Sequence, residues 1–233
     1  MKLLLDMGNT RLKWALWDGE HLQPMQAGRL DAVHSLPSAD SALLATSTAD
    51  LRHRHSLQAL LIEAGITTVD RVGPPHSDAL LRLAYAEPAT LGVDRWLAMR
   101  AARVACRDAC LVASVGTAMT MDAVDESGQH LGGCIVAGPT AMRDALLARA
   151  GHLHHHMGEF HAWANNTADA VYSGPLLACA ALIERQFRDL AQQSVALPRL
   201  FLTGGGADAL LPALNIEAQC IPDLVLRGMH AVS

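Results

Sequence analysis

Lys2-Leu-Leu-Leu-Asp6-Met-Gly8-Asn9-Thr10-Arg-Leu-Lys13-Trp-Ala-Leu-Trp17 is the stretch whose reading decides the fold. An apolar run too short for a helix ends in a carboxylate, passes through Gly-Asn-Thr, and continues as alternating polar and apolar residues. The pattern predicts strand, tight polar turn, strand. The turn has the parts of a phosphate holder. Gly8 lets backbone N–H groups approach an anion, and Asn9 and Thr10 add short hydrogen-bonding side chains. Asp6, at the strand end, offers the hard oxygen that Mg²⁺ takes through water. Asn and Gly are also common in ordinary hairpin turns, and taken alone the stretch favours that plainer reading.

The whole chain bounds what this turn can serve. Its 233 residues suffice for one large or two modest domains. Few charges, few aromatics and abundant Ala and Leu suit a soluble, helix-rich α/β protein. A formal charge of -5 argues against a nucleic-acid partner, which calls for a basic stripe. No apolar run reaches the length of a membrane span, and Asp6 interrupts the N-terminal apolar stretch, so neither a membrane segment nor a signal peptide is expected. Five cysteines without metal-like pairing fit reduced thiols and a cytoplasmic location. Cys106 and Cys110 lie one helical turn apart, but nothing supplies the other ligands of a zinc site.

Further along, 21–30 reads as an edge strand containing Pro24, 42–46 as a buried strand, and 67–72 as another short strand. Between the last two, a helix capped by Asp50 runs to about Ala64, with Gly65 as its stop. Strands alternating with helices predict parallel pairing in an α/β fold. Tyr85-Ala-Glu-Pro-Ala-Thr-Leu-Gly92-Val93-Asp94-Arg95-Trp96 is a loop feeding a helix to about Arg107. Asp94 and Arg95 fall at the helix start, where the dipole favours negative charge. They read equally as a cap with a salt bridge, or as a base for a hydroxyl proton beside an anion-binding guanidinium.

Cys110-Leu-Val-Ala-Ser114-Val-Gly116-Thr117-Ala-Met-Thr120-Met-Asp122 repeats the opening pattern, and a third strand at 131–136 follows. With Gly8 aligned on Gly116, the turns at Asp18-Gly19 and Ser127-Gly128 nearly coincide. Two such meanders, each followed by helices, point to an internal duplication with a boundary near 107–110, and so to domains 1–107 and 108–233. Gly138-Pro139 opens a helix through Ala150. The His152–His156 cluster reads better as a surface loop than as a metal site. Asn165-Asn-Thr167-Ala-Asp169 precedes a long helix in which Gly174-Pro175 marks a kink or a start, and Gly204-Gly205-Gly206 follows a strand as a bare-backbone platform for a flat ligand. The P-loop, nucleophile-elbow and protein-kinase motifs are absent.

The blocks Asp6-Met-Gly8-Asn9-Thr10, Gly92-Val93-Asp94-Arg95 and Gly116-Thr117-Ala-Met-Thr120-Met-Asp122, with Gly204–Gly206 behind them, resemble type III pantothenate kinases of the acetate and sugar kinase/Hsc70/actin superfamily. The resemblance runs almost the whole chain in order. It implies an α/β fold of two ribonuclease-H-like (actin-like ATPase) domains with ATP in the cleft between them. It implies transfer of the γ-phosphate of ATP to pantothenate, opening coenzyme A synthesis, in a cytoplasmic homodimer with the vitamin site at the subunit interface. By the same resemblance Asp6, Gly8, Asn9, Thr10 and Lys13 form the first phosphate loop, and Gly116, Thr117 and Thr120 the second. Gly204, Gly205 and Gly206 face adenosine. Asp94 is the general base; Tyr85, Gly92, Val93, Asp94, Arg95 and Thr167 contact pantothenate; Asp6 and Asp122 are the Mg²⁺ carboxylates.

Many such enzymes carry an Asp two residues before the second loop's Gly, where it binds K⁺ or NH₄⁺. Ser114 stands there instead, and a hydroxyl is the poorer cation ligand. Two other expectations stay open: a superfamily kinase acting on another hydroxylated substrate, and a nucleotide-binding regulatory protein without kinase activity. The Tyr85 and Gly92–Arg95 block counts against the first. The base Asp94 counts against the second.

Overall fold

The computed structural model describes residues 1–8, 10–46, 51–150 and 158–230. Asn9, Asp50 and the His152–His156 cluster lie outside the described residues. The elements run β1 (Lys2–Met7), β2 (Arg11–Trp17), β3 (Gln26–Arg29), β4 (Ser41–Thr46), α1 (Leu51–Glu63), β5 (Val69–Arg71), α2 (Val93–Ala105), β6 (Cys110–Val115), β7 (Ala118–Val124) and β8 (His130–Ala137). Then follow α3 (Pro139–Arg149), α4 (Thr167–Ala191), β9 (Arg199–Thr203), α5 (Ala207–Leu210), β10 (Gln219–Cys220) and α6 (Leu224–His230).

The strands form two five-stranded sheets, ordered 3-2-1-4-5 and 8-7-6-9-10 in their sequence numbers. These are one topology used twice. Each has an antiparallel meander whose first strand then pairs in parallel with the fourth, and the fourth with the fifth. The sheets lie in two compact units. One holds Met1–Leu80, Tyr85–Val104 and the segment from Asp223 onward; the other holds Leu81–Ala84 and Ala105–Pro222.

β1 is buried along Leu3–Met7, as a central strand covered on both faces should be. Alternation sends Leu3, Leu5 and Met7 toward Leu57, Leu60 and Leu61 of α1, and Leu4 and Asp6 to the opposite face. In the second unit Leu176, Cys179, Ala180, Ile183 and Phe187 of α4 cover Leu111, Ala113 and Val115 of β6 and Met119 and Met121 of β7. Each of the larger side chains among them contributes roughly 2 kcal/mol of burial. No disulfide links the five cysteines, which are half-buried or buried.

Several elements differ from their sequence-based bounds. The edge strand expected over 21–30 shrinks to Gln26–Arg29, leaving Leu22 with one bridge to Trp17. Pro24, with no N–H to donate, falls outside the ladder. The strand expected over 67–72 keeps only Val69–Arg71, all exposed. α4 starts at Thr167, so Pro175 is interior to the helix rather than its start.

α6 returns to the first unit, and one glycine sets how closely it sits there. A Cβ on Gly228 would lie 2.1 Å from the carbonyl oxygen of Leu97 in α2. No side chain has room at that contact, because the obstacle is backbone. Gly228→Ala is therefore expected to destabilise the protein by about 2 kcal/mol through overpacking, read as a lowered midpoint in urea. An unchanged midpoint would refute the close approach.

Candidate active site

In the first unit the site grows from the β1–β2 hairpin. The register sets Asp6 opposite Lys13, and Lys13 Nζ lies 3.7 Å from Asp6 Oδ2. The Gly8 N–H donates to the Arg11 carbonyl at 3.1 Å and closes the turn, leaving Thr10 exposed. Burial pushes the Asp6 carboxyl up to about 6. The negative charge of Asp94 pushes the same way, while the charge and hydrogen bond of Lys13 oppose both. Asp6, Lys13 and Asp94 therefore form one electrostatic cluster.

Asp94 reaches it from the first turn of α2. A short 3₁₀ turn at Pro88–Thr90 and buried Leu91 lead into the helix, which begins as the Trp96 N–H donates to the Gly92 carbonyl at 3.1 Å. A Cβ at Gly92 would come within 2.7 Å of Asp94 Oδ1, so that carboxylate orientation requires glycine. Val93 is half-buried beside it. Arg95 is buried, donates from Nη1 to the Tyr85 hydroxyl at 3.0 Å, and sets its guanidinium 5.8 Å from the Tyr85 ring centroid. Sequence reading did not foresee what braces α2 from behind. Trp96 Nε1 donates to the His76 carbonyl at 3.2 Å, and Arg100 ion-pairs with Asp78 over the Trp96 ring. The sole signal was a His-Ser-Asp turn after Pro74-Pro75, inside an irregular stretch.

In the second unit the glycines converge on the end of β6. The Gly116 N–H donates to the Ala118 carbonyl at 3.0 Å, and the Gly138 N–H donates to the Thr117 carbonyl at 2.8 Å. That places the Gly116–Thr117 turn at the N-terminus of α3, which Gly138 caps and Pro139 opens. A Cβ on Gly138 would lie 2.0 Å from the Gly116 oxygen. Gly138 thus belongs with the turn, and the Gly-Pro at the helix start was its only trace in the sequence. Gly204 and Gly206 lie against Val115, where Cβ atoms would meet the Val115 oxygen at 2.3 Å and Cγ1 at 2.9 Å. Gly204 also has φ +95°. Packing accounts for those two, and Gly205 is the exposed member.

Thr120 and Ser114 pair in register at the same end of the sheet, and Ser114 also pairs with Thr203. Asp122 lies deeper in β7, buried, with His130 Nε2 at 3.1 Å from its Oδ1. Thr167 is the exposed first residue of α4, just after the Asn166 cap. Among the described residues no three His, Cys, Asp or Glu side chains cluster as a self-sufficient metal site. The hard oxygens of Asp6 and Asp94, short of positive charge, fit Mg²⁺, which needs only one or two carboxylates besides water and phosphate. No described helix is long and apolar enough to cross a membrane.

Two sheets of this order, each with a glycine turn after its first strand, define a ribonuclease-H-like, actin-like ATPase type of α/β protein. A solved structure described as a Baf family transcriptional activator from Campylobacter jejuni has this fold, with a TM-score of 0.62 at 19% identity over 99% of this chain and 96% of its own. Residues 2–189 match the family model of the type III pantothenate kinases. The type III pantothenate kinase of Stenotrophomonas maltophilia (strain R551-3) is 43% identical over 97% of this chain and 94% of its own length. That of Thiobacillus denitrificans is 38% identical over 100% and 96%. The chain belongs to the type III pantothenate kinase family.

The Asp6 environment has a measurable consequence. A carboxyl raised from 3.8 to about 6 binds its proton more tightly folded than unfolded. Stability then falls as pH rises through that window, by about 3 kcal/mol in total. Removing the charge removes the penalty. In urea titrations of the ligand-free protein, Asp6→Asn is expected to exceed wild type in stability at pH 7.5, with the difference shrinking toward zero near pH 4. A variant less stable than wild type at pH 7.5 would refute this account.

Proposed function

We propose that this chain transfers the γ-phosphate of ATP to the primary hydroxyl of pantothenate, giving 4'-phosphopantothenate and ADP at the start of coenzyme A synthesis. The observation that carries the reading is Asp94, held by Gly92 at the start of α2 and close enough to Asp6 to raise its pKa, in a chain of this family. Phosphoryl transfer asks little covalent chemistry of a protein, and alignment with charge stabilisation does most of the work.

Asp94 accepts the hydroxyl proton as the pantothenate oxygen bonds to the γ-phosphorus and the bond from that phosphorus to the β–γ bridging oxygen breaks, releasing ADP. Arg95, steadied by Tyr85, presents a buried guanidinium to the anionic vitamin, with Gly92 and Val93 alongside. Thr167 adds a hydroxyl at the N-terminus of α4. Gly8, Asn9, Thr10 and Lys13 bind ATP phosphate from the first unit. Gly116, Thr117, Thr120 and Gly138 do so from the second, with Gly204–Gly206 toward adenosine. Asp6 would hold Mg²⁺, which would supply charge neutralisation for the nucleotide phosphates. We give Asp122 a structural role instead, because His130 holds it inside the sheet. Trp163, 95% exposed and four residues before Thr167, supports a homodimer in which a second copy covers this end of α4. Five cysteines outside any disulfide support a cytoplasmic setting.

A coupled ADP-release assay with pantothenate tests the reading, and no pantothenate-dependent ADP from wild type would sink it. Asp94→Asn is expected to lose about 10²–10⁴-fold in turnover while ATP still binds by calorimetry. Full turnover in that variant would remove Asp94 as the base. Ser114 pairs in register with Thr120 and Thr203, so its two ladder neighbours bring hydroxyls where a carboxylate would be the better cation ligand. Wild-type turnover is therefore expected to be insensitive to replacing Na⁺ with K⁺, and Ser114→Asp to make it K⁺-stimulated. Strong K⁺ stimulation of wild type would contradict this.

A further inference from the structure

His130 is fully buried, and so is its partner Asp122. The proposed chemistry uses neither. Their contacts lead to a short stretch of chain outside the named strands and helices, Leu81–Ala84, whose Arg82 forms a single bridge to Gln129 beside the start of β8 inside the second unit. The Arg82 N–H donates to the Gly128 carbonyl at 2.9 Å, and the His130 N–H donates back to the Arg82 carbonyl at 2.8 Å. Gln129 Nε2 adds a donor to the same carbonyl at 3.3 Å, and Arg82 Nη2 donates to the Ser127 hydroxyl at 2.9 Å. A further tie is the Ala84 N–H, which donates to His130 Nδ1 at 3.5 Å.

That tie fixes the imidazole. A ring nitrogen that accepts from a backbone N–H carries no proton, so the proton sits on Nε2 and is donated to Asp122 Oδ1 at 3.1 Å. Asp122 therefore selects the tautomer, and the tautomer gives Ala84 its acceptor. The next residue is Tyr85, whose hydroxyl accepts from Arg95. One peptide bond separates the end of this clasp from the group that steadies the vitamin-binding guanidinium.

We infer that His130 is a positioning residue for the acceptor substrate: with Asp122 it clasps Ala84 and so sets the start of the Tyr85–Arg95 segment. The inference rests on the pantothenate kinase reading. It separates two functions of one side chain, since Nε2 holds the sheet together through Asp122 and Nδ1 holds the substrate segment through Ala84. Its signature is a selective loss of pantothenate affinity.

Two substitutions separate those functions. His130→Asn places an amide oxygen where Nδ1 was, keeping an acceptor for Ala84 and giving up Asp122. His130→Gln reaches Asp122 with its amide nitrogen and leaves the Ala84 N–H without its acceptor. His130→Gln is expected to raise KM for pantothenate about three- to tenfold, the value of one neutral hydrogen bond. Its KM for ATP should stay within about twofold of wild type. His130→Asn is expected to keep a near wild-type pantothenate KM in spite of a lower melting temperature. A His130→Gln enzyme with unchanged pantothenate KM overturns the inference, as do equal increases in both variants or a joint rise for both substrates.

Should His130→Gln not fold, two measurements on wild type decide. Nitrogen NMR of the imidazole must show an unprotonated Nδ1, and the Ala84 amide must exchange slowly with solvent. A protonated Nδ1 or a fast Ala84 amide overturns the clasp. Both readings are independent of turnover, so they stand even if wild type makes no pantothenate-dependent ADP, the result that defeats the functional reading itself.

Discussion

The buried carboxylate of Asp6 is the constraint on which the first unit depends. It sits on the central strand, facing Lys13 across the hairpin, in the field of Asp94. A single lysine at 3.7 Å does not balance two carboxylates when one of them is out of water. The strain is visible in the Asp6 carboxyl, pushed up to about 6 with burial as its largest cause. A protein selected for stability alone has no reason to keep that charge there. The proposed role supplies one, because a kinase's donor substrate brings negative phosphates that need cations, and the cations need anionic ligands.

Comparing the two units shows how one topology was put to two uses. Counting back from each hairpin glycine, Asp6 in the first sheet corresponds to Ser114 in the second. The residues opposite them in register are Lys13 and Thr120. An ionic pair in one sheet is thus a pair of hydroxyls in the other. The second unit compensates with backbone: Gly116, Gly138, Gly204 and Gly206 crowd the end of β6 so tightly that a Cβ on any of the last three would meet other atoms within 3 Å. Charge chemistry lies on one side of the duplication and amide chemistry on the other.

That division explains how much could be read in advance. The paired meanders were visible because each is a local pattern of alternation and turn residues, and local patterns survive in a single sequence. The site blocks were visible for the same reason, since Asp6 to Lys13 and Gly92 to Arg95 are each contiguous. What stayed hidden is non-local. Nothing in the composition of Leu81–Ala84 indicates pairing with Gly128–His130, nor does the short helix after Asp223 announce its return to the first unit. Strand ends were overestimated where Pro24 removes a donor and where 67–72 has no second face to bury. The glycine run after β9 carries a second, non-local demand that its composition did not show: Gly204 and Gly206 are required by packing on Val115, and Gly205 is the exposed member.

The Asp6 cluster also links folding to ligand binding. A group whose ionisation is penalised in the folded, ligand-free state gains most from any ligand that supplies positive charge beside it. Well above pH 6 the penalty is fully present, so on the proposed role of Asp6 a cation arriving with ATP would remove a destabilising term as well as add its own contacts. Below about pH 4 Asp6 is protonated, and the same ligand must first displace a proton. On the proposed role of Asp6, stabilisation by a nucleotide–metal pair would be larger at neutral pH than the contacts alone require. On that reading the first unit awaits a ligand's positive charge, and the second, with Ser114 at the equivalent position, carries no such pH-dependent term there.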